Sequence, residues 1–132
     1  MEFTVKKQAT DSFYETFKGW LSEHKFPEIS RLILPENVFV CYSDGEPVYS
    51  TFFYFTDSKL AWVGFPASNK NIPYKNREKG LEFLMEYIVK YAKRKKMAMI
   101  ITTSGTEAVI KACNGAGFLL GDENVNHYLR IL

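Results

Sequence analysis

A mixed α/β fold, one mixed sheet with helices on its faces, is what this 132-residue sequence predicts, and three stretches predict it. Leu81, Leu84, Met85, Ile88, Val89 and Ala92 recur at helical spacing and form one continuous apolar face of a long amphipathic helix. Ahead of it, runs rich in Val, Phe, Tyr and Trp alternate with turn residues from Val38 to Phe65, as a strand meander does. Behind it, Met97 to Thr103 is a short apolar run of the kind a buried parallel strand shows. Strand, helix and strand from Leu60 to Thr103 make a crossover unit, which would be right-handed. The length suits a single domain over residues 1–132, large enough for a real core.

Taken in order, Phe3 to Lys7 alternates briefly and predicts a first, edge strand. Asp11 or Ser12 supplies an N-cap, with Glu15 completing a capping box, for a helix carrying Phe13, Phe17, Trp20 and Leu21 and ending near His24. A second short helix is expected between Pro27 and Leu34, closed by Pro35. Val38 to Tyr42 is a strand, and the Asp44-Gly45 pair marks a hairpin turn. Val48 to Phe55, apolar on both faces, reads as a central strand, and Lys59 to Phe65 follows it. An irregular loop over Pro66 to Asn71 leads to the main helix. After the parallel strand, Ser104 and Glu107 frame a capping box for a short helix that Gly115 and Gly117 stop. Phe118 to Leu120, a turn at Gly121 to Asn124, and Val125 to Leu132 predict a closing hairpin.

The entry to the main helix is chemically suggestive. Lys75, Arg77 and Lys79 crowd an N-terminus, where the helix dipole disfavours cations. Free N–H groups, the positive dipole end and side-chain cations together make an anion site; a lysine-rich solvated loop fits the same residues. A formal charge of +2 argues against a bulk polyanion partner, so any anion binding is local. Lys93 to Lys96 reads as a solvated, dipole-matched helix end rather than a nucleic-acid patch. The aromatic strand Tyr49 to Phe55 lacks the spaced signature of an RNA-stacking sheet and reads as core. Cys41 and Cys113 have no metal or redox spacing, and His24 and His127 stand alone, so no metal is expected. With no apolar leader in Met1 to Thr10 and no run long enough to span a bilayer, a cytoplasmic protein without a membrane partner is expected.

Arg77-Glu78-Lys79-Gly80 resembles the Q/R-x-x-G-x-G/A acyl-CoA pyrophosphate loop of the GCN5-related N-acetyltransferase (GNAT) superfamily, with Glu82 where its last small residue belongs. The element order β-α-α-β-β-β-α-β-α-β-β resembles the same family over nearly the whole chain, and Gly117-Phe118 with His127 to Leu132 resembles its closing segment. The spacing from Trp62 to Met85-Glu86-Tyr87 is similar to GNAT-like proteins encoded by tailed phages.

The resemblance implies an acetyl-CoA-dependent N-acetyltransferase, with acetyl-CoA as co-substrate and a small-molecule or protein amine as acceptor. Pantetheine would insert beside the fourth strand, faced by Val63 and Phe65. The pyrophosphate would meet the charges of Arg77 and Lys79 and the N–H groups of Lys79, Gly80 and Leu81, with Gly80 in an exposed loop. Cys113 stands where the family places a tyrosine proton donor; it can act as that donor or fill a core position. Asn114 can bond the cofactor or simply end a helix. The alternative is a GNAT-fold protein without catalysis, a binding or structural component of a phage, which the departures at Glu82 and Cys113 support.

Overall fold

The computed structural model describes residues 2–103 and 106–132. Five strands form one sheet in sequence order: β1 (Phe3–Ala9), β2 (Asn37–Ser43), β3 (Glu46–Phe55), β4 (Leu60–Ser68) and β5 (Met99–Thr102). The first four pair antiparallel, and β5 returns parallel to β4. Three helices complete the chain: α1 (Thr10–Glu23), α2 (Tyr74–Arg94) and α3 (Glu107–Gly115). The mixed α/β architecture, the central β3 and the parallel return are as the sequence predicts.

Strand alternation sorts the core into two layers. Val38, Val40 and Phe52 face α1 and meet Phe13, Phe17, Trp20 and Leu21. Phe39, Cys41, Phe53, Ala61 and Val63 face the other way, onto Leu84, Ile88, Tyr91 and Ala92 of α2. Phe17 and Phe52 meet edge to face across the α1 side at 5.2 Å, a preferred geometry for buried rings. On its outer flank α2 uses Leu81 and Met85 to hold Val109 and Ala112 of α3. The β2–β3 turn has Asp44 at φ +50° and Gly45 at φ +82°, both left-handed, which is the twist a two-residue hairpin requires.

Several local expectations are corrected. The predicted Ser12 cap does not form; Ser12 Oγ donates to the Ala9 carbonyl, and Thr10 Oγ1 donates to the Pro35 carbonyl, tying the helix start to the β2 entry. The second helix is only a 3-10 turn, Arg31–Ile33, which Ser30 Oγ caps by accepting from Leu32 N–H. β4 runs on through Pro66 to Ser68, so the loop is shorter than expected. α3 is capped by Thr106, whose hydroxyl accepts from Val109 N–H; the Ser104 cap lies outside the described residues. β5 is a half-exposed edge among the described strands rather than a buried one, and Gly117 is followed by no strand, so the closing hairpin is absent.

Candidate functional site

β4 is longer than its pairing with β5. The two strands pair from Leu60–Met99 to Val63–Thr102 and stop there, with Thr102 Oγ1 donating to the Val63 carbonyl at 2.8 Å. From Gly64 to Ser68 the β5-side edge of β4 has no strand neighbour among the described residues. A bulge lies at the same point. Ser50 and Phe52 of β3, with one residue between them, oppose Ala67 and Gly64, with two between them. Phe65 takes φ +51°, a costly conformation for a bulky residue. Thr51 Oγ1 pins it by donating to the Gly64 carbonyl at 3.1 Å. Gly64 is required because the Trp62 indole lies over it, so that an added Cβ would come within 2.3 Å of the ring. Trp62, Phe65 and Tyr54 cluster on the α1 side, Phe65 edge-on to both other rings and Tyr54 tilted against Trp62. The result is a short strand edge without a strand neighbour among the described residues. An extended, amide-bearing ligand can pair along it as an added strand, at groups other than the Gly64 carbonyl, which Thr51 occupies, and Pro66, which has no N–H.

The two residues expected to face that ligand are placed differently. Phe65 lies on the open edge, with its ring on the α1 side. Val63 is the last paired residue, buried on the α2 side, and its carbonyl is already occupied by Thr102.

The open edge leads directly to the start of α2. Asn69 holds the connecting loop, donating from Nδ2 to the Pro47 carbonyl and accepting from Asn71 N–H through Oδ1. Arg77 reaches back over it: Nε donates to the Ile72 carbonyl, Nη1 donates to Ser68 Oγ, and the guanidinium rests over the Tyr74 ring. His24 Nε2 lies 3.1 Å from both Ser68 Oγ and the Ser68 carbonyl. Thus Ser68, at the end of the open edge, joins the end of α1 to the start of α2. Pro73 precedes the helix and no side chain caps it. Asn76 and Arg77 N–H bond the Pro73 carbonyl, while the N–H groups of Tyr74 and Lys75 have no carbonyl one turn back. The side chains of Lys75 and Lys79 are exposed alongside.

The expected phosphate donors are therefore corrected. α2 begins at Tyr74, well over a turn before Gly80, so the N–H groups of Lys79, Gly80 and Leu81 are spent on the helix itself. Leu81 is a core residue between α2 and α3. Gly80 is not in an exposed loop: it is buried, and a Cβ there would lie 2.9 Å from Val48 Cγ1 and 3.5 Å from the Phe3 ring. It permits the close packing of α2 on the sheet. Arg77 is committed to the loop and to Ser68.

A groove of about 360 Å³ separates the start of α2 from α3, lined by Tyr74, Glu78, Glu107, Ile110, Lys111 and Asn114. Lys111 Nζ donates to Glu78 Oε1 at 2.6 Å, and Glu82 Oε1 stands 4.0 Å from the same ammonium. The Lys111 hydrogen bond and charge hold the Glu78 carboxyl below the usual carboxylate range. Glu82 is thus turned toward α3 rather than toward Lys75 or Lys79. Asn114 lies in the groove; Cys113 packs half-buried beside Val109 and Ala112, and burial pushes its thiol pKa up. Tyr49 lies between the two α2-side clusters, where burial pushes its phenol up to about 12 against the opposing pull of Arg77. His24, Tyr49, Ser68 and Tyr74 are the site residues that sequence reasoning missed. Tyr74, beside the basic run, had a signal; His24 and Ser68, 44 residues apart, had none. Among the described residues no group of three His, Cys, Asp or Glu side chains could hold a metal, and no helix is long and apolar enough to cross a membrane.

No protein-family model matches the sequence, and no curated protein does. Solved structures match almost its full length. An aminoglycoside acetyltransferase from an uncultured soil metagenomic sample, in complex with trehalose, superposes with a TM-score of 0.64 at 12% identity, over 98% of this chain and 96% of that one. An acetyltransferase of Trypanosoma brucei gives 0.62 at 11% identity, over 97% and 100%. AAC(6')-Iy, in complex with the bisubstrate analogue CoA-S-monomethyl-acetylneamine, gives 0.64 at 12% identity, over 99% and 100%.

Proposed function

This chain has the GNAT fold of those acetyltransferases, and we propose that it transfers an acyl group from acetyl-CoA to an amine, small-molecule or protein-borne. One observation carries the reading: the opened edge of β4 runs without interruption into an uncapped helix start flanked by lysines. That continuity suits a ligand with an amide-bearing arm at one end and phosphates at the other. Backbone groups between Phe65 and Ala67 would pair with the arm. The N–H groups of Tyr74 and Lys75, with the Lys75 and Lys79 ammonium groups, would take the phosphates. Asn114, in the groove that shares Tyr74, would bond the nucleotide end.

The thioester supplies an activated acyl carbon, and the chain's part is to position it, to accept a proton from the incoming ammonium and to return one to the leaving thiolate. His24, held by Ser68 where the open edge meets α2, lies at the phosphate end of this path and not at the thioester, so it is not placed for the first task, to take that proton. For the second, Cys113 is packed as a core residue and Tyr49 lies near Arg77 and Tyr74 at the phosphate end, so the reading assigns neither proton transfer to a particular side chain.

A second reading has its own observation. Arg77, one of the two cations expected to meet the phosphates, is engaged by Ser68 and Ile72, so part of the expected phosphate charge is occupied. On that reading the fold serves as a binding or structural component without turnover. Thermal shift separates the two. Acetyl-CoA at about a hundred times its dissociation constant adds roughly 2.7 kcal/mol and raises Tm by several degrees, with amine-dependent release of free thiol following. No shift at millimolar acetyl-CoA overturns the enzyme reading; a shift without thiol release across amine classes supports the binding reading.

A further inference from the structure

An amine that attacks the thioester must reach the point where β4 and β5 part, and the two faces of the sheet differ there. On the α2 side, Ala61 and Val63 of β4 are buried in one cluster with Leu84, Ile88, Tyr91 and Ala92, so that face is filled. On the other side α1 covers β2, β3 and the end of β4, but not the β4–β5 pair. The register sets Trp62 beside Ile101 and Leu60 beside Met99 on this face, and Met99 and Ile101 are 60% and 44% exposed. The Trp62 indole leans over Gly64, the first residue of the open edge. Tyr54 and Phe65 meet it with ring centroids 4.9 and 5.4 Å away. Tyr54 Oη donates to the Ile33 carbonyl at 2.9 Å, which ties the exposed Ile33 to the same face. Rings from β3 and β4 and aliphatic side chains from β5 and the Arg31–Ile33 turn thus form one apolar surface beside the thioester end of the path. None of them is a carboxylate, and Asp11, tied to the same turn, is already paired with Arg31 at 2.6 Å.

We propose that this surface selects the acceptor: a primary amine with a single charge, carried on an aromatic or branched apolar body, in preference to a polyamine or an aminoglycoside. The inference rests on the acyltransfer reading and names the substrate class of that site. An apolar body gains by leaving water for Trp62, Tyr54 and Ile101, and a flat ring can meet the indole edge to face. One ammonium is still attracted by the aromatic faces. A polycation would give up the hydration of several charges against a wall with no carboxylate to pair them, which opposes its binding. In its neutral form the amine nitrogen attacks the thioester carbonyl carbon. The C–N bond forms and the C–S bond breaks, its electron pair leaving with sulfur. Nitrogen loses one proton and the CoA thiolate gains one, so the products are an amide and a free thiol.

The test gives the full chain acetyl-CoA and, in turn, 2-phenylethylamine, isoamylamine, spermidine and kanamycin, read by thiol release and, with CoA present, by tryptophan fluorescence. kcat/KM for the two apolar amines should exceed that for either polycation by about tenfold or more. The apolar amines should also change the emission of the half-buried Trp62, a response lost in Trp62→Phe while the buried Trp20 still emits. Ile101→Glu, at a half-exposed position outside the CoA path, should lower kcat/KM for 2-phenylethylamine by about tenfold or more and narrow the gap to spermidine. It should leave the thermal shift with acetyl-CoA unchanged. Thiol release that favours the polycations, or uses all four amines equally, or is unaltered in Ile101→Glu, overturns this acceptor class and leaves the acyltransfer reading standing. No thiol release with any amine, whether or not acetyl-CoA shifts Tm, overturns that reading and this inference with it.

Discussion

One substitution made at two glycines tests whether α2 packs on the sheet as described. Gly80 and Gly19 both lie within helices, where alanine is preferred to glycine by about 0.8–1.0 kcal/mol. At Gly19 nothing lies within 4 Å of an added Cβ, so Gly19→Ala should realise that preference in full. At Gly80 the new methyl would meet Val48 Cγ1 at 2.9 Å, about half an ångström inside ordinary contact. Val48 is fully buried and β-branched, so it cannot simply swing away. Overpacking of this kind costs about 1–3 kcal/mol, which outweighs the helix gain and leaves a net loss of roughly 1 kcal/mol. With an unfolding entropy of about 2.1 cal/mol/K per residue, 1 kcal/mol in a chain of this length moves Tm by roughly 4 °C. Scanning calorimetry of the two variants should therefore show shifts of opposite sign, up at Gly19 and down at Gly80. A rise at Gly80 equal to that at Gly19 would refute the close contact and return Gly80 to an open, solvent-facing role.

Three further outcomes follow from particular contacts. Ser50 Oγ is buried and has no hydrogen-bond partner among the described residues, so Ser50→Ala, which removes a desolvation cost of about 1–3 kcal/mol, should leave Tm unchanged or raise it by up to about 10 °C; a clear fall in a melting curve would mean that the hydroxyl is bonded. The Glu78–Lys111 pair couples α2 to α3: the Glu78 pKa is lowered, so its contribution is present above about pH 4.5 and lost as pH falls through the folded value, while the raised Lys111 pKa keeps its share until pH rises past 10.5. Lys111→Met should flatten the acid limb of the Tm–pH curve, and an unaltered limb would show that the pair contributes nothing. Finally, Glu82→Ala should leave CoA affinity by calorimetry within about twofold, because that carboxylate is turned toward Lys111; a tenfold rise would place it against a phosphate instead.

What the sequence determined by itself is whatever depends on residues close along the chain. The apolar stripe of α2, the left-handed Asp44-Gly45 turn and the alternation of β2 into two core faces are local patterns, and periodicity reads them directly. Their order was enough to name the fold. The tertiary structure alone decided where α2 begins and what its glycine is for. A glycine beside lysines has the local pattern of a loop, yet Gly80 is set by Val48 and Phe3, which reach it across the sheet. It also decided the site. Nothing in the sequence around Phe65 forecasts a left-handed phenylalanine; the bulge exists because Thr51 and the Trp62 ring hold it from neighbouring positions in the sheet. Likewise His24 is an isolated residue until folding brings the end of α1 to Ser68. The final strand pattern, Val125 to Leu132, is legible in sequence but finds no partner within the described fold, because alternation specifies a strand's faces and leaves its neighbour to be supplied by tertiary or quaternary contact.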